Sequence, residues 1–114
     1  AVPEVLEQIE SHYGVIPMGV VSGSSRESVL NSLTTLGLLD RFDTIVGAED
    51  YTRSKPAPDA FLTAAARLGI APGDCLVFED TALGIQAATA AGMASVRVPS
   101  ALERRSGTEA SVST

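Results

Sequence analysis

The stretch Cys75-Leu76-Val77-Phe78-Glu79-Asp80-Thr81-Ala82-Leu83-Gly84-Ile85-Gln86-Ala87-Ala88 passes from a short apolar run, through a pair of acids, into an alanine-rich segment. Cys75–Phe78 has the length and composition of a buried strand. Thr81 to Ala91 reads as a helix, which Gly92 closes. Ala94–Val98 is again a short apolar strand. A strand, a helix and a strand in succession predict parallel strands joined by a crossover. The same rhythm runs back along the chain. A helix begins near Asp59, carries Phe61, Leu62, Ala65, Ala66 and Leu68, and stops at Gly69, with Pro72-Gly73-Asp74 as the following turn. Thr44–Gly47 is a strand. Ser24 and Glu27 have capping-box spacing for a helix to Leu36, whose apolar face is Val29, Leu30, Leu33 and Leu36 and whose stop is Gly37. Met18–Val21 is a strand, and residues 3–13 form a helix opened by Pro3, with Val2, Leu6, Ile9 and Tyr13 as its buried stripe. The order α, β, α, β, α, β, α, β predicts an α/β fold with helices on both faces of a parallel sheet.

Composition narrows the function classes. At 114 residues the chain has room for one domain, and 45% hydrophobic with 19% charged residues describes an ordered globular one. Eight basic residues against 14 acidic leave a net charge of -6, which disfavours nucleic-acid partners. No apolar run approaches the ~20 residues of a membrane helix, and no leader is visible, so no membrane partner is expected. A single cysteine, Cys75, fits a reducing, cytoplasmic setting. The sequence opens on Ala1, which reads as a fragment or a processed chain. Residues 1–98 read as the domain, and 99–114, rich in Ser, Thr, Glu and Arg, as a flexible tail.

In open parallel sheets, ligands bind beyond the carboxyl ends of the strands. Three loops at that edge carry chemistry. Ser22-Gly23 follows the first strand; either its hydroxyl and amides hold an anion, or Ser24 or Ser25 merely caps the helix. Lys55, the only lysine, stands in Lys55-Pro56-Ala57-Pro58 after the second strand. On that stiff arm it is either an ordinary exposed lysine or a fixed cation for a phosphate or developing oxyanion. Glu79-Asp80 ends the third strand; adjacent acids there suit Mg²⁺, while Asp80 or Thr81 can cap the next helix, and one residue can do both. Together the three describe a site for a phosphoryl group and Mg²⁺.

Val20-Val21-Ser22-Gly23-Ser24, Lys55-Pro56-Ala57-Pro58-Asp59 and residues 77–88, followed by Ala90-Ala91-Gly92-Met93, resemble motifs two, three and four of the haloacid dehalogenase-like hydrolase superfamily. The likeness is to its sugar-phosphate branch, which contains β-phosphoglucomutase and fructose-1-phosphate phosphatase, and it covers residues 2 to 99. It implies a three-layer α/β/α Rossmann-like core and a Mg²⁺-dependent phosphatase acting on a small sugar phosphate. Ser22 and the Gly23 amide would bind the transferred phosphoryl group. Lys55 would bridge it to the nucleophile, and Glu79 and Asp80 would hold Mg²⁺. Gly84 would let the last helix pack close to the sheet. Ser24 and Arg26 sit where some relatives touch substrate.

The chain departs from the family in one large respect. The nucleophile and its acid–base partner are an Asp-x-Asp pair, and Asp40, Asp43, Asp50, Asp59, Asp74 and Asp80 form none. The cap domain is absent as well. The expectation is the C-terminal half of such an enzyme, inactive alone and in need of its N-terminal half. Its strands would keep their parallel sense in two pairs, with a gap or an improvised pairing where the family's central strand lies, and its exposed inner edges would favour aggregation. A phosphomutase on the same core is the near alternative; a non-catalytic phosphate-binding or receiver-like module is the distant one. In receivers the acid pair precedes Lys-Pro, the reverse of the order here. His12 and Cys75 are read as structural, and Asp40, Asp43 and Asp50 as solvated loop charges.

Overall fold

A computed structural model describes residues 16–98. The expected helix over 3–13, with His12, and the tail from Pro99 lie outside these residues. The elements are β1 (Gly19–Val21), α1 (Arg26–Leu36), β2 (Thr44–Val46), α2 (Asp59–Leu68), β3 (Leu76–Glu79), α3 (Ala82–Ala90) and β4 (Ala94–Arg97). Short 3-10 turns occupy Leu39–Arg41, Ala48–Asp50 and Pro72–Asp74. Among the described residues no helix is long and apolar enough to cross a membrane.

β1 pairs in parallel with β2, in the register Val20 to Ile45. β3 pairs in parallel with β4, in the register Phe78 to Val96. Among the described residues no ladder joins the two pairs, which is the expected division on either side of a gap. Side chains bridge that division on both faces. Val21 and Val46 share one apolar cluster with Phe61, Ala65, Val77, Ala87, Ala88 and Met93. Val20 joins Val29, Leu33, Leu38 and Val98, with Ile45 and Phe78 against them. Adjacent strand residues point to opposite faces, so Val20 faces α1 while Val21 faces α2 and α3. The result is three layers.

The helix ends follow local chemistry. Gly37 and Gly69 adopt left-handed φ values of 72° and 71°, which glycine reaches without a Cβ penalty. After Gly37 the Leu38 amide returns to the Leu33 carbonyl at 2.9 Å and both side chains are buried together. That return seals the end of α1. Leu36, expected on its apolar face, is 52% exposed instead. The cap also differs from expectation. Ser25, not Ser24, caps α1, accepting the Ser28 N–H at 3.1 Å. Ser24 is already engaged, its amide with Ser22 Oγ and its carbonyl with the Ala48 N–H. β3 runs one residue further than expected, because Glu79 still pairs with Arg97 and its carbonyl accepts the Val98 N–H.

Candidate active site at the carboxyl ends of the strands

Glu79 is the last residue of β3, and its side chain is 0% exposed. Such burial of a carboxylate is tolerable only with partners. Oε2 accepts from Lys55 Nζ at 2.9 Å. Oε1 accepts the Asp80 amide at 3.1 Å, the Thr81 amide at 3.2 Å and the Thr81 hydroxyl at 3.1 Å. The turn after the strand therefore folds around the carboxylate. Thr81 Oγ1 in turn accepts the Gly84 N–H at 3.0 Å and caps α3. Thr81 thus fills the capping role left open between it and Asp80. Asp80 itself is 9% exposed, and its carbonyl accepts from Arg97 Nε at 3.2 Å.

Gly84 has a more specific reason than close packing on the sheet. A Cβ built there would overlap the Glu79 carboxyl group. Helix and carboxylate can share that space only with glycine at this position.

Lys55 reaches Glu79 from the loop after β2, its ammonium also 5.8 Å from the centre of the Phe61 ring. The Lys55–Pro56 peptide is cis. Ser22, 7% exposed, lies directly after β1. Its Oγ accepts the Ser24 N–H at 3.0 Å, so the hydroxyl proton remains to be donated elsewhere. Among the described residues no acceptor takes the Gly23 N–H. Tyr51 O–H donates to the Ser22 carbonyl at 3.1 Å, four residues before Lys55, so one loop touches the ends of both β1 and β3. Lys55 and Glu79 are in direct contact, with Asp80 beside them. Ser22 is tied through its carbonyl to Tyr51, in the same loop as Lys55.

Two hard carboxylates on adjacent residues fit part of the shell of a Mg²⁺ ion, which draws the remainder from water and phosphate. Among the described residues no third Asp, Glu, His or Cys gathers with them.

Ser24 is held through its backbone and Arg26 through its side chain and amide. Arg26 makes a two-pronged ion pair with Asp50, through Nε at 3.2 Å and through its Nη2. Its amide donates to Glu49 Oε1 at 2.8 Å. Asp50 corrects the reading of the loop acids as solvated. Its side chain is 5% exposed and also meets Arg67 Nη2 at 3.1 Å and the Gly47 N–H at 2.8 Å. The Arg26 guanidinium first, then the Gly47 amide and Arg67, hold its carboxyl well below the usual carboxylate range. Asp43 is likewise used, accepting the Met18 N–H at 2.8 Å. Asp40 pairs with Arg41 at the surface. Cys75 donates to the Ala71 carbonyl, and burial pushes its thiol up, away from reactivity.

Because the folded form binds the Asp50 proton more weakly than the unfolded one, the stability from this cluster is full above the unfolded pKa of about 4. It is lost as pH falls below that value. Asp50→Asn is expected to cost about 1–2 kcal/mol at neutral pH, since the arginines are partly screened by solvent. It is also expected to flatten the loss of stability between about pH 5 and pH 2. Urea midpoints measured across that range check both.

A model of the haloacid dehalogenase-like hydrolase family matches residues 1–98. The fructose-1-phosphate phosphatase of Escherichia coli is 45% identical over 94 residues, 82% of this chain and 50% of that protein. The validoxylamine A 7'-phosphate phosphatase of Streptomyces hygroscopicus is 39% identical over 90 residues, 79% of this chain and 41% of that protein. The crystal structure of β-phosphoglucomutase from Clostridium difficile superposes with a TM-score of 0.71 at 34% identity, covering 89% of this chain and 44% of that one. The chain thus spans half or less of the length of these relatives.

Proposed function

The chain belongs to the haloacid dehalogenase-like hydrolase family, and from that premise we propose that it forms the Ser22–Lys55–Asp80 part of a Mg²⁺-dependent phosphatase for a small sugar phosphate. The observation that carries this reading is the Lys55–Glu79 contact, a cation held by a fully buried carboxylate at the carboxyl edge of the strands. A preorganised cation of this kind stabilises charge that develops on a transferred group. The Ser22 hydroxyl and the Gly23 N–H donate to the phosphoryl oxygens. Glu79 fixes Lys55, and Asp80, with Glu79, would hold Mg²⁺. When bound, the ion supplies charge neutralisation of the phosphate. The attacking carboxylate has to come from an Asp-x-Asp segment, which none of the 114 residues forms. The substrates in the relatives' names, fructose 1-phosphate and validoxylamine 7'-phosphate, support a phosphorylated sugar or sugar-like substrate.

The match to a β-phosphoglucomutase favours phosphomutase as the second reading. One experiment separates them. Residues 1–98 are joined to an N-terminal half that bears Asp-x-Asp, and fructose 1-phosphate and β-glucose 1-phosphate are supplied with Mg²⁺. Release of inorganic phosphate is expected; isomerised hexose phosphate without release would favour the mutase. The 114-residue chain alone is expected to release none above the blank, and steady turnover by it would overturn the assigned division of labour.

A further inference from the structure

The turn that carries Ser22 is held from one side, by the segment that follows β2. The Ser22 N–H donates to the Val46 carbonyl at 2.9 Å, and the Ala48 N–H to the Ser24 carbonyl at 2.8 Å. Glu49 takes the Arg26 amide, and Asp50 takes the Arg26 guanidinium. Gly47 permits this closeness, since a Cβ there would overlap the Arg26 backbone.

The contact at the Ser22 carbonyl has a chemical consequence. A trans peptide is planar, and its C=O and N–H point in opposite directions. The bond from Tyr51 O–H to the Ser22 oxygen therefore fixes the plane that carries the Gly23 N–H on its far side. That N–H is a donor with no acceptor among the described residues. We propose that Tyr51 is a positioning residue: by pinning the Ser22 carbonyl, its phenol aims the Gly23 N–H, and with it the Ser22 hydroxyl, at the bound phosphoryl group. The inference rests on the phosphatase reading and adds to it a residue that never touches substrate. The Tyr51 ring packs against the apolar cluster on the α2 and α3 face, so the hydroxyl approaches Ser22 from a fixed base.

Tyr51→Phe removes the donor and keeps the ring. The test titrates inorganic phosphate, with Mg²⁺, into the natural polypeptide that carries this sequence, following the Gly23 amide by 1H–15N correlation. Circular dichroism fixes the folded fraction to which every value is referred. In the unaltered protein the Gly23 proton is expected to shift downfield at saturation. In Tyr51→Phe that shift should shrink and the phosphate Kd rise about tenfold. The thermal midpoint should stay within a few degrees. A purely structural role for the phenol would lower the midpoint and leave the Gly23 shift and the Kd of the folded fraction unchanged; that outcome overturns the proposal. An unaltered protein that binds no phosphate overturns the phosphatase reading, and the positioning role with it. Normal binding in the unaltered protein with an unchanged Tyr51→Phe variant overturns the positioning role alone.

Discussion

Lys55→Met is expected to lower phosphate release at least about a hundredfold in the polypeptide that joins this sequence to an Asp-x-Asp half, comparable to the loss of a key oxyanion donor. The substitution removes the cation that Glu79 holds at 2.9 Å. It also leaves a fully buried carboxylate short of its charge partner, a change worth about 3–5 kcal/mol in stability. A fall in rate could then be mistaken for a fall in folded protein. Referring every rate to the folded fraction, read by circular dichroism, separates the two. The double substitution Lys55→Met with Glu79→Gln tests the stability cost by itself: neutralising position 79 removes the stranded charge, so the thermal midpoint should recover much of its loss. A single variant within threefold of the parent rate would show that Lys55 serves only to satisfy Glu79.

Gly84→Ala should reverse the usual sign of a glycine-to-alanine change in a helix. In an exposed helix that exchange stabilises by up to about 1 kcal/mol. At position 84 the added methyl would overlap the Glu79 carboxyl group. Either α3 moves off the strand, or the carboxylate leaves Lys55 and the Thr81 turn. Overpacking and a broken buried pair together predict a loss of about 3 kcal/mol or more. Gly73→Ala is the control, since nothing lies within 4 Å of its Cβ position. Its unfolding midpoint should stay near that of the parent. A Gly84→Ala protein as stable as the parent would mean that the carboxylate does not occupy the space described.

The strands and helices were legible because continuous apolar runs and stop glycines act locally. Gly37 and Gly69 end α1 and α2 where the sequence places them. The candidate site was legible in outline because its members follow the carboxyl ends of strands, a position set by chain order. What stayed hidden depends on contacts between segments distant in sequence. The choice of Ser25 over Ser24 as cap turns on an amide of Ala48, more than twenty residues away. The burial of Asp50 depends on Arg26 and Arg67, from two different helices. Tyr51 bears on the site through a backbone carbonyl, and side-chain motifs carry no sign of that. Thr81 left a trace, a hydroxyl residue directly after the acid pair, at a position where it both caps a helix and holds a carboxylate.

Among the described residues, the β1–β2 and β3–β4 pairs are held together by side chains and by no backbone ladder. Ser22 follows the end of β1 in one pair, and Glu79 and Asp80 stand at the end of β3 in the other. An anion gripped at Ser22 and a cation held at Asp80, bridged to each other, would act as a brace across that seam. Occupancy and rigidity then become linked quantities: at a hundred times its Kd, such a ligand adds about 2.7 kcal/mol to the folded state.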